Sequence, residues 1–249
     1  MVQRLLGDFT LLGITLILSS CATARVQLVE ANFQPASPLR TSDSNTSETI
    51  AFAGVINRSG ASLSGREAET ILSQAAQQIE QRRRRIDILR FSQFQRLSSI
   101  DSAVLSGRPE TCLSSRSRTK LSEAGIRFLY SIELTSDRCR ESVRYDEEEI
   151  TKPILDEEGK EVGCKVVGHK FTTTSVSTRS VAATVRIYDL EKAGDVWVVS
   201  THHAESHTNS NTSSWQHPPP PPHPAAPCLT DVVDNLTSAA LRKLPRAKW

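Results

Sequence analysis

The sequence is poor in aromatic residues and lacks the motifs that would indicate a redox protein or a serine enzyme. Phe, Trp and Tyr make up only 5% of the 249 residues and hydrophobic residues 38%, which is enough for one moderate core and no second large domain. No C-x-x-C pair of the zinc or redox kind is present. Residues 117–120 fit the S-x-x-K pattern of penicillin-binding enzymes, but the K-T-G strand that this chemistry requires is missing. The sequence therefore predicts a protein that is not an enzyme and needs no cofactor.

A strong excess of charge is also absent. The formal net charge is +2 at pH 7, which favours neither nucleic acid nor an acidic partner. Four arginines follow one another at 82–85, but no aromatic residues are interleaved with them. They fall at the end of a predicted helix, where cations complement the negative end of the helix dipole. We therefore expect no binding of nucleic acid.

The N-terminal segment carries a short apolar stretch, residues 9–18, directly before two small residues and a cysteine. The stretch is about half of the roughly 20 residues that a membrane-spanning helix needs, so it is typical of a signal peptide. Ser19, Ser20 and Cys21 resemble the bacterial lipobox, in which the cysteine thiol receives a diacylglyceryl group before cleavage. The resemblance implies that Cys21 anchors the mature protein in a membrane. Ala22, in place of Asp, resembles the outer-membrane class, and the alternative is an ordinary secretory signal with an incidental cysteine.

The predicted domain organisation follows from changes in composition along the chain. Residues 1–20 are a lipoprotein signal peptide, and residues 21–49 are the lipidated N-terminus with a Ser-, Thr- and Pro-rich flexible tether. Residues 50–249 form a single α/β domain. Within it, an acidic excursion spans 140–170, and a proline-rich extended crossing spans 216–227.

Apolar periodicity gives the fold class. Ser64 and Glu67 have the spacing of a capping box, and an apolar stripe follows at steps of three and four residues. Strands are predicted where the apolar pattern is continuous or alternates, namely at 50–56, 126–134, 181–187 and 196–200. A closing helix begins near Thr230. This order predicts an α/β fold of the α+β type, with a mixed sheet, a C-terminal antiparallel meander and flanking helices.

Three segments resemble one family: "IAFAGVINRSG", "SEAGIRFLYSIEL" and "VAATVRIYDLEKAGDVWV". They are similar to lipoproteins built on the fold of the curli-secretion channel protein, the penicillin-binding-protein activator lipoprotein and the TolB amino-terminal domain. Asn57, Gly125, Asp189 and Gly194 fall at the matching places, and the resemblance covers residues 50–206. It implies a non-enzymatic scaffold or binding module in the periplasm, on the inner side of the outer membrane, with an envelope protein partner or further copies of itself.

The four cysteines beyond Cys21 form an even set in an exported chain, which is typical of a disulfide framework. Cys139 and Cys164 lie near the base of the acidic excursion. A simple hairpin about Gly159 would not place them opposite one another, so their pairing requires a bend or bulge. We predict Cys139–Cys164, which leaves Cys112–Cys228 as the second pair.

Two alternative functions come from other segments. On an extended strand His203, Glu205 and His207 point the same way and supply ligand types that zinc accepts, although no fourth ligand is evident; polar residues at a strand end are the other interpretation. The excursion is also long enough for one membrane-spanning hairpin of an oligomeric secretion channel. Its four consecutive acidic residues at 146–149 place negative charge on both faces of the hairpin, including the one that would face lipid. A pore is therefore the weaker hypothesis.

Overall fold

The computed structural model of the chain describes residues 27–30, 48–82 and 86–244. The predicted signal peptide, Cys21 and most of the tether lie outside these residues. Of the helices in the described ranges, none is both long and apolar enough to cross a membrane.

Strands and helices alternate in the first half of the described chain, and long strands dominate the second half. The strands are β1 (Gln27–Glu30), β2 (Glu48–Asn57), β3 (Ile86–Leu89), β4 (Val104–Leu105), β5 (Ile126–Leu155), β6 (Glu161–Asp189) and β7 (Gly194–Ser213). The helices are α1 (Gly65–Arg82), α2 (Phe91–Ser98), α3 (Pro109–Cys112), α4 (Ser115–Glu123) and α5 (Leu229–Arg242).

All described strands belong to one mixed sheet with the order β1-β7-β6-β5-β2-β3, and β4 pairs with β2. Strand β2 runs parallel to β3, β4 and β5, because helical crossovers connect them. Strands β5, β6 and β7 form an antiparallel meander. The predicted fold class, a mixed sheet with a C-terminal meander and flanking helices, is confirmed.

One part of the predicted tether is a strand. Residues 27–30 form β1 and pair antiparallel with β7, Gln27 opposite His202 and Leu28 opposite Thr201. No alternating apolar run long enough to predict this strand is present here. An edge of β7 that offers unpaired backbone groups is sufficient to hold so short a strand.

The core lies around β2, in which every residue from Ile50 to Ile56 is buried. The rings of Phe52 and Tyr130 pack in a tilted arrangement with their centroids 4.6 Å apart, and desolvation of the fully buried Tyr130 hydroxyl raises its pKa far above the ordinary value. Helix α1 contributes the predicted apolar stripe, Ala68, Ile71, Leu72, Ala75, Ala76 and Ile79, all buried.

The capping box at the start of α1 is formed as the sequence indicated. The amide of Glu67 donates to Ser64 Oγ at 3.2 Å, and Glu67 Oε2 accepts from the Ser64 amide at 2.9 Å. Hydrogen bonds from the Ser64 side chain and then its backbone hold the pKa of Glu67 below its ordinary value. Two of the helix's orphan backbone donors at this end are thereby satisfied.

The acidic excursion is the distal part of a long β-hairpin. Strand β5 continues through residues 140–155 and pairs with β6 as far as the Leu155–Glu161 pair, with register shifts of one residue after Ile150 and after Ile154. At the tip, Asp156 Oδ1 accepts from the amides of Glu158 and Lys160, and Gly159 takes a positive φ of 80°. The 30 residues of β5 span about 100 Å at roughly 3.3 Å per residue.

Candidate functional site

The most distinctive feature of the molecule is the part of the meander that extends beyond the helices, which we call the arm: residues 136–155 of β5, 161–180 of β6 and 203–213 of β7. Strand β7 pairs with β6 up to Ser213, opposite Phe171, so the arm is three-stranded at its base and two-stranded toward its tip. Strand β6 is rich in Thr, Ser and Val in this region, residue types that favour extended backbone. The arm is therefore a ribbon held by its own ladder of backbone hydrogen bonds.

Residues 216–227, which we call the strap, lie along one face of the arm. Proline lacks an amide hydrogen, so a run of prolines leaves its carbonyl groups without partners unless side chains donate to them. Five side chains of β6 and β7 on this face donate to carbonyl groups of the strap, at 2.5 to 3.1 Å. The donors are Thr173 to Pro218, Asn211 to Pro219, Ser175 to Pro221, Asn209 to Pro222 and His207 Nδ1 to Ala225.

Each end of the strap has a further anchor. At the start, the ring of His217 contacts Tyr145 and Phe171 edge-on, with centroid distances of 5.4 and 5.1 Å. At the end, Arg179 Nη1 donates to the carbonyl of Pro227 at 3.3 Å. The proline-rich segment is thus an extended element docked on the sheet, and it leads directly into α5.

Arg179 organises the neck of the arm, the level at which the strap meets α5. Its guanidinium binds both carboxylate oxygens of Asp137 on β5, at 2.8 and 2.6 Å, and the Asp137 side chain is only 2% exposed. The hydrogen bond to Asp137 is the main reason that the pKa of Arg179 is raised. A bidentate pair of this kind holds two strands and the strap in one geometry.

The strap should loosen when its buried donors are removed. We expect the double change Thr173→Val and Ser175→Ala to raise the rate at which a proline-specific protease cuts the strap by about tenfold, since each lost hydrogen bond costs about 0.5–1.5 kcal/mol. The matched control is Thr174→Val, because Thr174 bonds Ser210 rather than the strap. Equal cleavage rates in the two variants would contradict the proposed anchoring.

The three candidate metal ligands lie on the strap's face but do not converge. His203 is buried with 1% exposure, whereas His207 is exposed and donates to the strap. On an extended strand, residues four positions apart are separated by about 13 Å, which is too far for both to reach one zinc ion at roughly 2 Å. Within residues 27–30, 48–82 and 86–244, no group of three or more His, Cys, Asp or Glu is placed to hold a metal ion. The metal site with His203, Glu205 and His207 is therefore not formed.

The predicted disulfide framework is also not formed. Cys112, Cys139, Cys164 and Cys228 are all free and exposed. Cys139 lies opposite Arg179, whereas Cys164 lies opposite Pro153, so the length of β5 between positions 139 and 153 separates them by about 45 Å. The Cys139–Cys164 prediction is wrong because the register shifts of the hairpin amount to only one residue each, which is too little to bring these two positions opposite one another. Cys112 and Cys228 stand in α3 and at the N-cap of α5, unbonded.

The tip of the arm carries an apolar cluster that composition did not reveal. The large hydrophobic residues here are between 42% and 61% exposed, and they are Ile150, Ile154, Leu155, Val162, Val166 and Val167. Acidic residues and lysines are interspersed with them in the sequence, so no continuous apolar run indicates the cluster. Its position at the far end of a long hairpin was visible only once the strand register was known.

No protein-family model matches the chain, and no curated protein matches it significantly. Similar solved structures include the PelC dodecamer from Paraburkholderia phytofirmans, at 11% identity over 88% of this chain and 94% of that chain, with a TM-score of 0.35. They also include lipoprotein GNA1162 from Neisseria meningitidis, at 12% identity over 79% of this chain and 97% of that chain, with a TM-score of 0.36. Similarity at this level carries no argument about function, and the fold and site define a mixed α/β domain that bears a strapped β-arm.

Proposed function

We propose that this protein is a non-enzymatic lipoprotein of the bacterial envelope that serves as an assembly scaffold. Lipid on Cys21 holds it on a membrane, in keeping with the lipobox-like sequence, and the arm makes its protein contacts. The observation that supports this function best is the backbone of the arm, which offers two long edges to other chains.

Both edges of the arm are open among the described residues. Strand β2 pairs with β5 only as far as Leu134, and the strand beyond it pairs with β6 alone. Strand β1 covers β7 only at 200–202, so residues 203–213 likewise pair on one side. Unpaired amide and carbonyl groups of an edge strand are a template for a further strand. An arm with two such edges is suited to joining chains side by side.

The partner that we propose for these edges is a second copy of the same chain. Five acidic residues and one arginine lie on β5 between 141 and 149, so two β5 edges repel one another. Residues 206–213 of β7 carry no Asp, Glu, Lys or Arg, so β7 accepts the β5 edge of a neighbour without repulsion. Within one chain β5 and β7 are both antiparallel to β6 and so run in the same direction. In the contact that we propose, the arms of successive copies point the same way, and the β5 and β7 edges then pair in parallel.

The test is a matched pair of charge variants on the β7 edge. Thr208, Ser210 and Thr212 are exposed on one face of β7 and are changed together, either to Glu or to Lys. We expect the wild type and the Lys variant to sediment as oligomers. In the Glu variant the dissociation constant of the oligomer should rise about tenfold, since like charges on paired strands cost about 0.2–1 kcal/mol each. A wild type that stays monomeric at every concentration, or variants that behave alike, would rule out this contact.

An oligomeric secretion-channel component is the second candidate. It is favoured by the same head-to-tail contact, because repeated rotation about an axis closes a ring. The consecutive acidic residues at 146–149 point to both faces of the ribbon and would stand on any surface that faces lipid. For this reason we place the scaffold first.

A further inference from the structure

Two exposed thiols meet at the neck of the arm, around Arg179. Cys139 on β5 lies directly opposite Arg179 on β6. Arg179 Nη1 donates to the carbonyl of Pro227, and Cys228 is the next residue in the chain. One guanidinium therefore stands beside both cysteines, although 88 residues of sequence lie between them.

The two thiols also share a face of the sheet. Residues directly opposite in an antiparallel pair project from the same face, so the Cys139 side chain is on the face of Arg179. That face is the one covered by the strap, since Arg179 reaches Pro227 there. The raised pKa of Arg179 comes first from the hydrogen bond to Asp137 and then from the charge of Asp137, with smaller electrostatic contributions from Cys139 and Cys228, which agrees with their common proximity to the guanidinium.

We propose that Cys139 and Cys228 form a disulfide that fastens the end of the strap to the neck of the arm. Cys164 is a poor partner for Cys139, because it is about 45 Å away along the arm. The Cα atoms of a disulfide must lie within about 4.4–6.8 Å, so one of the two thiols has to adjust. Cys228 can do so, because it stands at a helix N-cap without a side-chain capping bond, and its exposed thiol lies 3.1 Å from Thr230 Oγ1.

The reaction is thiol–disulfide exchange with an external disulfide, either a disulfide oxidoreductase or a small-molecule disulfide. The thiolate of one cysteine attacks the external disulfide and releases one thiol, and the second cysteine then displaces the other from the mixed disulfide. The two cysteines lose two protons and two electrons in total, and the external disulfide becomes two thiols. The product joins β5 to the residue that begins α5, so the strap can no longer leave the sheet at that end.

The test is disulfide mapping of the full-length wild-type chain after equilibration with oxidised glutathione. Free thiols are alkylated, and the chain is cut with a glutamate-specific protease, because Arg138 and Arg140 flank Cys139 and trypsin would release it in a dipeptide. We expect a peptide pair that joins Cys139 to Cys228 within one chain and at least a tenfold loss of alkylation at both positions. Reduction should restore alkylation at both.

Matched variants separate this pair from the alternatives. Cys139→Ser and Cys228→Ser should each abolish the linked peptides and leave the remaining partner open to alkylation. Cys112→Ser and Cys164→Ser should leave the link unchanged. Full alkylation of both thiols in the oxidised wild type, a link to Cys112 or Cys164, or a link only between separate chains would each overturn the proposal. Because the wild-type map needs no substitution, the result does not depend on the folding of any variant.

Discussion

Replacement of Cys21 by Ala is expected to move the protein from the membrane fraction to the soluble fraction, or to leave an uncleaved precursor. Each buried methylene of an acyl chain contributes about 0.8 kcal/mol to membrane binding, so several chains on one cysteine make attachment almost permanent. Without the thiol there is no site for the diacylglyceryl group. We expect the membrane-bound share to fall at least about tenfold, measured by fractionation and immunoblotting of the full-length chain.

The matched control for this change is Cys112→Ala, which removes an exposed cysteine that the lipobox does not contain. It should leave both fractionation and processing unchanged. If Cys21→Ala is cleaved normally and still fractionates with the membrane, the protein is not held there by lipid on Cys21. The scaffold function would then need another means of attachment.

Replacement of Asp189 by Ala is expected to lower the free energy of unfolding by about 3–5 kcal/mol, because it leaves a charged partner without its carboxylate. The Asp189 side chain is fully buried and accepts from Arg127 Nε and Nη2 at 3.1 and 2.9 Å. Its other oxygen accepts from the amides of Glu191 and Lys192 in the β6–β7 turn. The Asp189 carboxylate thus both closes a turn and neutralises an arginine. Urea denaturation of the purified protein measures the decrease in the free energy of unfolding.

Glu191→Gln is the control for the Asp189 prediction. Glu191 Oε2 also contacts Arg127, at 3.2 Å, but its side chain is 67% exposed. Exposed ion pairs contribute about 0–1 kcal/mol, so this change should lower the free energy of unfolding by less than about 1 kcal/mol. Comparable losses in the two variants would show that burial does not set the strength of this pair.

The residues that carry the family resemblance shape the backbone of the fold. Asn57 Nδ2 donates to the Ala61 carbonyl at 2.7 Å, and Asn57 Oδ1 accepts from the Ser59 amide, which fixes the turn after β2. Gly125 has φ of 71° at the junction of α4 and β5, a conformation that glycine adopts without strain. Asp189 holds the last hairpin. These three residues therefore fix the local backbone of the domain, while the arm and strap carry the candidate site.

Where the sequence was misleading, the cause was long-range pairing. The acidic segment was predicted as an excursion with a bend or bulge that brings Cys139 and Cys164 together, whereas its two strands pair almost residue by residue. In the arm, both faces of β5 beyond the neck are open to solvent, so burial imposes no alternation and the sequence shows none. The disulfide prediction failed for the same reason, since the register of two strands decides which cysteines are neighbours.

The amino-acid sequence by itself determined the local elements: the cap and apolar stripe of α1, the alternating strands of the domain, the extended proline segment and the lipobox-like start of the chain. These depend on residues close in sequence, whose periodicity and backbone restrictions act locally. The tertiary structure alone decided that β5, β6 and β7 continue together into an arm, and that the strap's carbonyls meet donors from two strands. It also decided that Cys139 and Cys228 share a neighbour in Arg179. Such pairings join residues far apart in the chain, and their free energy depends on register and burial, which no local pattern encodes.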